Sequence, residues 1–190
     1  MATTDEQSLI ASCQAGNLED FDPLYRTYIQ QIYGFIYRRT LVRQTAEDLT
    51  SITFMKALQK IDSYSGDKGV FAAWLYRIAR NTITDYYRTN HEHTDIETVW
   101  DLSEDNRMSE TLDDKQAYLL VRGALQKLEP EKRDIVMLRM WDGLSYKEIA
   151  VITGKTETNC KVIFSRSLDW LRKEIPLAAF LLLLFSPIRL

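Results

Sequence analysis

Residues 143–172 read GLSYKEIAVITGKTETNCKVIFSRSLDWLR, and this stretch predicts two helices joined by a tight turn. Ser145 stands where it can cap a helix N-terminus, and Glu148 follows at the spacing that lets its carboxylate reach back to the Ser145 amide. Leu144 and Ile149 flank that box at the spacing of a hydrophobic staple. Ala150 is small where a second helix must cross closely, and Gly154 can take the positive φ of a turn at little steric cost. Thr156 can cap the next helix, which meets no Pro or Gly before Lys173. This is the grammar of a helix-turn-helix, whose second helix enters a major groove.

Outward from this motif the pattern stays helical. Apolar residues recur at helical spacing, no alternating strand pattern is convincing, and Pro23, Pro130, Pro176 and Pro187 all fall where a helix would begin or end. Helices are expected near 5–15, 21–39, 45–61, 70–88, 114–128, 130–141, 145–153 and 157–173. Residues 89–113 are polar, acidic and aperiodic and read as a linker, with Val99, Trp100 and Leu102 as docking points. The expected fold class is all-α: two small helical domains joined by an acidic flexible linker, the second with the helix-turn-helix. The boundaries are 1–88, 89–114, 115–174 and a hydrophobic C-terminal tail at 175–190.

A net charge of −3 looks unsuited to a nucleic-acid reader, but the charge is segregated. Residues 21–88 carry ten Lys/Arg against six acids and residues 115–174 carry twelve against eight, whereas 89–114 carry one Arg against nine acids. A phosphate backbone responds to the local field of the two basic blocks, not to the mean. Cys13 and Cys160 are too far apart in sequence to suggest a disulfide framework or a metal motif, which fits a reducing cytoplasm. MATTDEQSLI has neither the basic start nor the apolar run of a secretory signal. His91 and His93, with Glu92 and Asp95, are too few ligands on too loose a segment for a metal site. No phosphate loop, nucleophile elbow or catalytic carboxylate pair is present, so no enzyme, metal, cofactor or small-molecule substrate is expected.

The first basic block centres on VFAAWLYRIARNTITDYYR at 70–88. Val70, Trp74, Ile78 and Ile83 suit an inner stripe, while Arg77, Arg80, Asn81 and Arg88 occupy other faces with Tyr76, Tyr86 and Tyr87 among them. Cations that hold phosphates, interleaved with rings that stack on bases, suit an unstacked strand; a helix with core aromatics and solvated arginines gives the same pattern. The loop KIDSYSGDKG at 60–69 precedes it and suits a flipped base, a weak signal alone. In TAEDLTSITFMKALQKI at 45–61, Thr45 stands in a cap-like position before Asp48. Glu47, Asp48 and Thr50 suit a partner helix carrying Arg, or equally a surface helix with acids at its positive end. Leu177 to Phe185 form an apolar run of nine residues, against the roughly 20 needed to span a bilayer. Three fates are open to it: the protein's own core, a partner protein, or a membrane surface.

Across residues 7–88 and 115–174 the chain resembles the bacterial sigma factors of the extracytoplasmic-function (ECF) group. LIASCQAGNLEDFDPLYRTY resembles the family's opening helices, AEDLTSITFMKAL its polymerase-binding segment, FAAWLYRIARNTITDYYR its minus-ten helix, and LEPEKRDIVMLRMWDGLSYKEIA the approach to region four. The resemblance implies a promoter-specificity subunit that binds core RNA polymerase and promoter DNA, with an anti-sigma factor as a further partner. It implies core polymerase contacts at Glu47, Asp48, Leu49, Thr50 and Phe54. It implies minus-ten contacts at Tyr64, Ser65, Lys68, Trp74, Arg77, Arg80, Asn81 and Arg88, with Trp74 and Asp85 as candidates for a structural role instead. Minus-thirty-five contacts would fall at Ser145, Tyr146, Thr156, Thr158, Asn159, Lys161, Ser165 and Arg166. The chain departs from the family pattern at Ser51 and Ile52, and at Lys155, Asn159, Cys160 and Ile163. The rival readings are a stand-alone helix-turn-helix regulator, which would bind palindromic duplex sites without polymerase, and a sigma-like module reduced to protein binding.

Overall fold

The N-terminal helix is tied down at both ends, at Glu6 by the Tyr28 hydroxyl and at Gln14 by the Ile61 and Tyr64 carbonyls. A computed structural model describes residues 4–66, 70–90 and 112–185. Within them α1 spans Thr4–Gln14, α2 Phe21–Thr40, α3 Arg43–Gln59 and α4 Phe71–Asn90; α5 spans Leu112–Lys127, α6 Pro130–Met140, α7 Tyr146–Thr153, α8 Glu157–Glu174 and α9 Leu177–Phe185. Short 3-10 turns lie at Leu18–Asp20 and Ile61–Ser63, and no strand occurs among the described residues. The chain divides into two units, Met1–Asp101 and Leu102–Leu190. The linker at 89–113, with Val99, Trp100, Leu102 and both histidines, falls largely outside the described residues, as does Lys68.

In the first unit α2, α3 and α4 pack mutually and α1 closes the end against α2 and the Ile61 turn. On α2 the residues Phe21, Leu24, Tyr28, Ile32, Phe35 and Ile36 repeat at three- and four-residue steps and all are buried, the stripe a core-facing helix needs. α2 ends at Leu41, which takes a left-handed φ of 59° and donates its amide to the Tyr37 carbonyl at 2.7 Å. A leucine at this φ is strained, and the strain sits at the sharp joint into α3. That helix begins at Arg43 behind Val42, with no side-chain cap. Thr45 therefore lies inside the first turn and is not the cap that the sequence suggested.

In the second unit α6, α7 and α8 form the helix-turn-helix scaffold, while α5 packs on α9. Pro130 stands at the start of α6, where its missing N–H costs nothing. Ile135, Val136, Met137 and Leu138 are all buried there. The apolar run after Pro176 folds as α9. Its Ala179, Phe180 and Leu183 join Val121, Leu125 and Leu171 in one buried cluster, so of the three fates the structure shows the first. Leu177, Leu181 and Leu184 on its other side remain exposed. No helix among the described residues is long and apolar enough to cross a membrane.

Candidate nucleic-acid interface

Helix α4 is both core and surface. Phe71, Leu75 and Ala79 are wholly buried and Ile83 nearly so, which fixes the helix axis and leaves Arg77 and Arg80 half-buried and Asn81 and Arg88 exposed. The inner stripe is wider than the sequence suggested. Tyr76, read beforehand as a ring on the basic face, is only 1% exposed and meets Phe35 edge-on at 5.3 Å. Ile78, read as inner, is half-buried, and Val70 precedes the helix. Trp74 is 8% exposed and packs against Phe71 at 5.4 Å, so most of its surface is structural.

Asp85 bonds to Arg88 at 3.1 Å and lies 3.7 Å from the ammonium of Lys56 on α3. Lys56 also donates to the Thr82 hydroxyl at 3.2 Å. The Tyr87 hydroxyl donates to the Arg39 carbonyl at 2.9 Å, fastening the far end of α4 to α2. The basic face is thus mounted on α2 and α3 by polar contacts as well as by the core.

The loop before α4 leaves the 3-10 turn at Tyr64. That ring is not splayed outward: it meets Phe71 at 5.4 Å and Trp74 at 5.5 Å, both edge-on. Burial, and then the nearby Glu6 carboxylate, raise the Tyr64 hydroxyl above its ordinary pKa. The exposed part of the loop begins at Ser65 and Gly66.

On α3 the structure buries three of the five expected polymerase contacts. Leu49 and Phe54 are each 4% exposed, and Phe54 meets Phe21 and Tyr25 edge-on at 6.4 and 4.8 Å. Thr50 is buried with its hydroxyl donated to the Ala46 carbonyl at 2.7 Å. These three lie in the interior of the unit and leave little surface exposed. The outer face instead carries Asp48, Ser51, Ile52 and Met55, with Glu47 paired to Arg43 at 2.9 Å. Ile52 and Met55 stand exposed on that face; in sequence they read as core, because an apolar residue in an apolar-rich helix does so and periodicity here points both ways.

The helix-turn-helix has the local chemistry its sequence implies. The Glu148 amide donates to the Ser145 hydroxyl at 3.2 Å, and the Ser145 amide donates to the Glu148 carboxylate at 2.7 Å. Gly154 has φ 71°, and the Asn159 amide donates to the Thr156 hydroxyl at 3.2 Å. α8 then buries Cys160, Ser167 and Leu171 and leaves Thr158, Asn159, Lys161, Val162, Ser165 and Arg166 exposed. Tyr146 packs on Phe164 at 5.8 Å under the Arg139 guanidinium, 4.9 Å from the ring centre. Lys161 pairs with Glu157 at 2.7 Å. Ser145, Tyr146 and Thr156 therefore serve the scaffold, whatever else they touch. Lys155, at a position the family usually fills with an apolar residue, reaches Glu131 of α6 at 3.1 Å and ties the turn to the scaffold.

No group of three or more metal-ligating side chains occurs among the described residues. What the geometry defines is a helical protein with a basic helix in each of two units. Residues 24–92 match the Sigma-70 region 2 model and residues 118–171 match Sigma-70, region 4. The chain is 31% identical over 165 residues to the RNA polymerase sigma factor YlaC of Bacillus subtilis, covering 83% of this chain and 92% of that one. It is 33% identical over 172 residues to the ECF RNA polymerase sigma factor BldN of Streptomyces coelicolor, covering 88% of this chain but only 65% of that relative's length. Among solved structures, the sigma factor RpoE in complex with the anti-sigma factor NepR from Bartonella quintana aligns with TM-score 0.64 and 26% identity, over 82% of this chain and 96% of that one. CnrH, solved with the cytosolic domain of CnrY, shares the fold at TM-score 0.68 and 21% identity, over 89% and 96%. The chain belongs to the ECF group of RNA polymerase sigma factors. Membership makes it a transcription-initiation factor rather than an enzyme.

Proposed function

We propose that the chain acts in the cytoplasm as a promoter-specificity subunit in which each helical unit does one job. The exposed face of α3 docks on core RNA polymerase through Asp48, Ser51, Ile52 and Met55, with Glu47. The loop at Ser65–Lys68 and the outer face of α4 (Arg77, Arg80, Asn81, Arg88) take the minus-ten strand. Thr158, Asn159, Lys161, Ser165 and Arg166 on α8 read the upstream element, with Asn159 suited to an adenine edge. The acidic connector 89–114, nine carboxylates with one arginine, suits a positively charged polymerase channel. An anti-sigma factor is the expected further partner, by analogy with the RpoE–NepR complex.

The observation that carries this reading is α4. Its buried side is locked into the unit, so the backbone positions of its arginines are fixed before DNA arrives and only side-chain freedom remains to be lost. Opening DNA requires unstacking of a few kcal/mol per base, which a captured base and its stacking partners offset. The test is transcription by the purified full-length protein with core polymerase on a randomised promoter library, followed by sequencing of the regions upstream of the transcripts. Enriched motifs at a fixed spacing from the start site are expected. A folded protein that directs no promoter-specific initiation would overturn the proposal.

A further inference from the structure

We propose that Gln14, on the N-terminal helix outside the matched region-two residues 24–92, is a positioning residue that holds the base-capturing loop ready for DNA. The inference rests on the reading of that loop given above.

The Gln14 side-chain amide nitrogen has two hydrogens, and both are used. It donates to the Ile61 carbonyl and to the Tyr64 carbonyl, each at 3.0 Å. Those two carbonyls are the ends of the 3-10 turn from which the loop departs, and the turn itself closes through the Tyr64 amide on the Ile61 carbonyl at 3.0 Å. One side chain therefore pins the start of the loop across a sequence separation of about 50 residues. Ile61 below is buried, and Tyr64 is in an extended conformation that leads the chain away toward Ser65.

The pin is itself anchored. Ile10 and Cys13 of α1 are buried, and the chain just beyond Gln14 is folded back on itself. There the Ser12 hydroxyl donates to the Asp20 carboxylate, and the Asn17 side chain donates to Ser12 at 3.1 Å. At the other end of α1 the Tyr28 hydroxyl donates to the Glu6 carboxylate. The Tyr28 ring lies 5.6 Å from Phe71, which meets the Tyr64 ring. The backbone of Tyr64 is thus set from α1, and its ring by Phe71 and Trp74 of α4. With the start of the loop at Tyr64–Gly66 set in advance, less freedom is lost there when a base is taken, so Gln14 acts on opening without touching DNA.

The experiment has two arms. In the free full-length protein, amide hydrogen exchange is followed at Ser63–Gly66. In the holoenzyme, transcription is compared between a library-selected promoter as a duplex and the same promoter with its minus-ten bases mismatched. Gln14→Glu keeps the shape and removes both donors; losing two hydrogen bonds is expected to speed exchange about ten-fold and to lower duplex transcription about ten-fold. The mismatched template, already unpaired, should lose less than about two-fold, since its unstacking cost is largely gone. Gln14→Arg, whose Nε and Nη hydrogens can reach the two carbonyls, should recover part of both losses. Unchanged exchange, an equal loss on both templates, or no recovery with Arg overturns the positioning role. Faster exchange with no promoter-specific initiation by the unsubstituted protein would instead sink the sigma reading on which the inference rests.

Discussion

Helices α4 and α8 are both expected to face DNA, yet they are built differently. α4 carries the core of its unit: Phe71, Leu75, Tyr76 and Ala79 are buried along it, and its basic side chains occupy what is left. α8 spends only Cys160, Ser167 and Leu171 on full burial, and its stability comes from caps and from neighbours that lie mostly outside it. A reading face that shares a helix with the core has little freedom to vary. One mounted on a capped scaffold can change residue by residue without unfolding the domain. This explains why the family pattern is intact at 71–88 while Asn159 and Ile163 depart from it.

The contrast gives predictions of decreasing size. Tyr76→Ala should destabilise the N-terminal unit by about 3–5 kcal/mol, whereas Val162→Ala on α8 should stay within about 0.5 kcal/mol. Urea denaturation of the two variants measures both, and equal effects would break the comparison. Leu183→Ala should cost the C-terminal unit about 2–4 kcal/mol, because α9 roofs α5. A loss well under 1 kcal/mol would show that α9 is an ornament to that unit. Ser145→Ala removes the capping box and should cost about 1 kcal/mol, readable as an earlier melt of the C-terminal unit with promoter spacing unchanged.

The fourth and smallest contrast is in pH. Burial, then the bond to Glu6, push the Tyr28 hydroxyl well above its usual range. Folded and unfolded chains both keep that proton below about pH 10, so Tyr28 adds no slope to stability there. Above it the unfolded tyrosine ionises first, and stability of the N-terminal unit should fall as pH rises. Tyr28→Phe should flatten that fall in melts taken between pH 9 and pH 11.5 (roughly the window set by the ordinary tyrosine value). An unchanged slope would contradict the placement of Tyr28.

What the sequence made legible was local chemistry. The Ser145–Glu148 box, the Gly154 turn and the Thr156 cap each depend on residues within three or four positions of one another, so their spacing suffices. The order of helices follows from periodicity and proline placement for the same reason. Direction was less legible. Tyr76 alternates with arginines and reads as part of a nucleic-acid face, but only packing against Phe35 decides where its ring points. Leu49 and Phe54 sit in a segment that resembles the family's polymerase-binding one, yet both are buried and the α2 rings Phe21 and Tyr25 claim Phe54. α9 has nine apolar residues and no polar face, so nothing in its pattern could say which side would meet α5. Gln14 carries no sequence signal at all, because its partners are backbone carbonyls some 50 residues away.

The division of labour between the two reading helices is tested most directly by running the promoter-library transcription with Arg80→Ala and Asn159→Ala side by side. Arg80→Ala should reduce initiation across the whole library while polymerase binding and the upstream motif are unchanged. Asn159→Ala should relax the upstream motif alone, at one or two positions, and leave the minus-ten motif as it was. If Asn159→Ala alters the minus-ten motif, or Arg80→Ala weakens polymerase binding as much as opening, the assignment of opening to α4 and upstream reading to α8 is wrong.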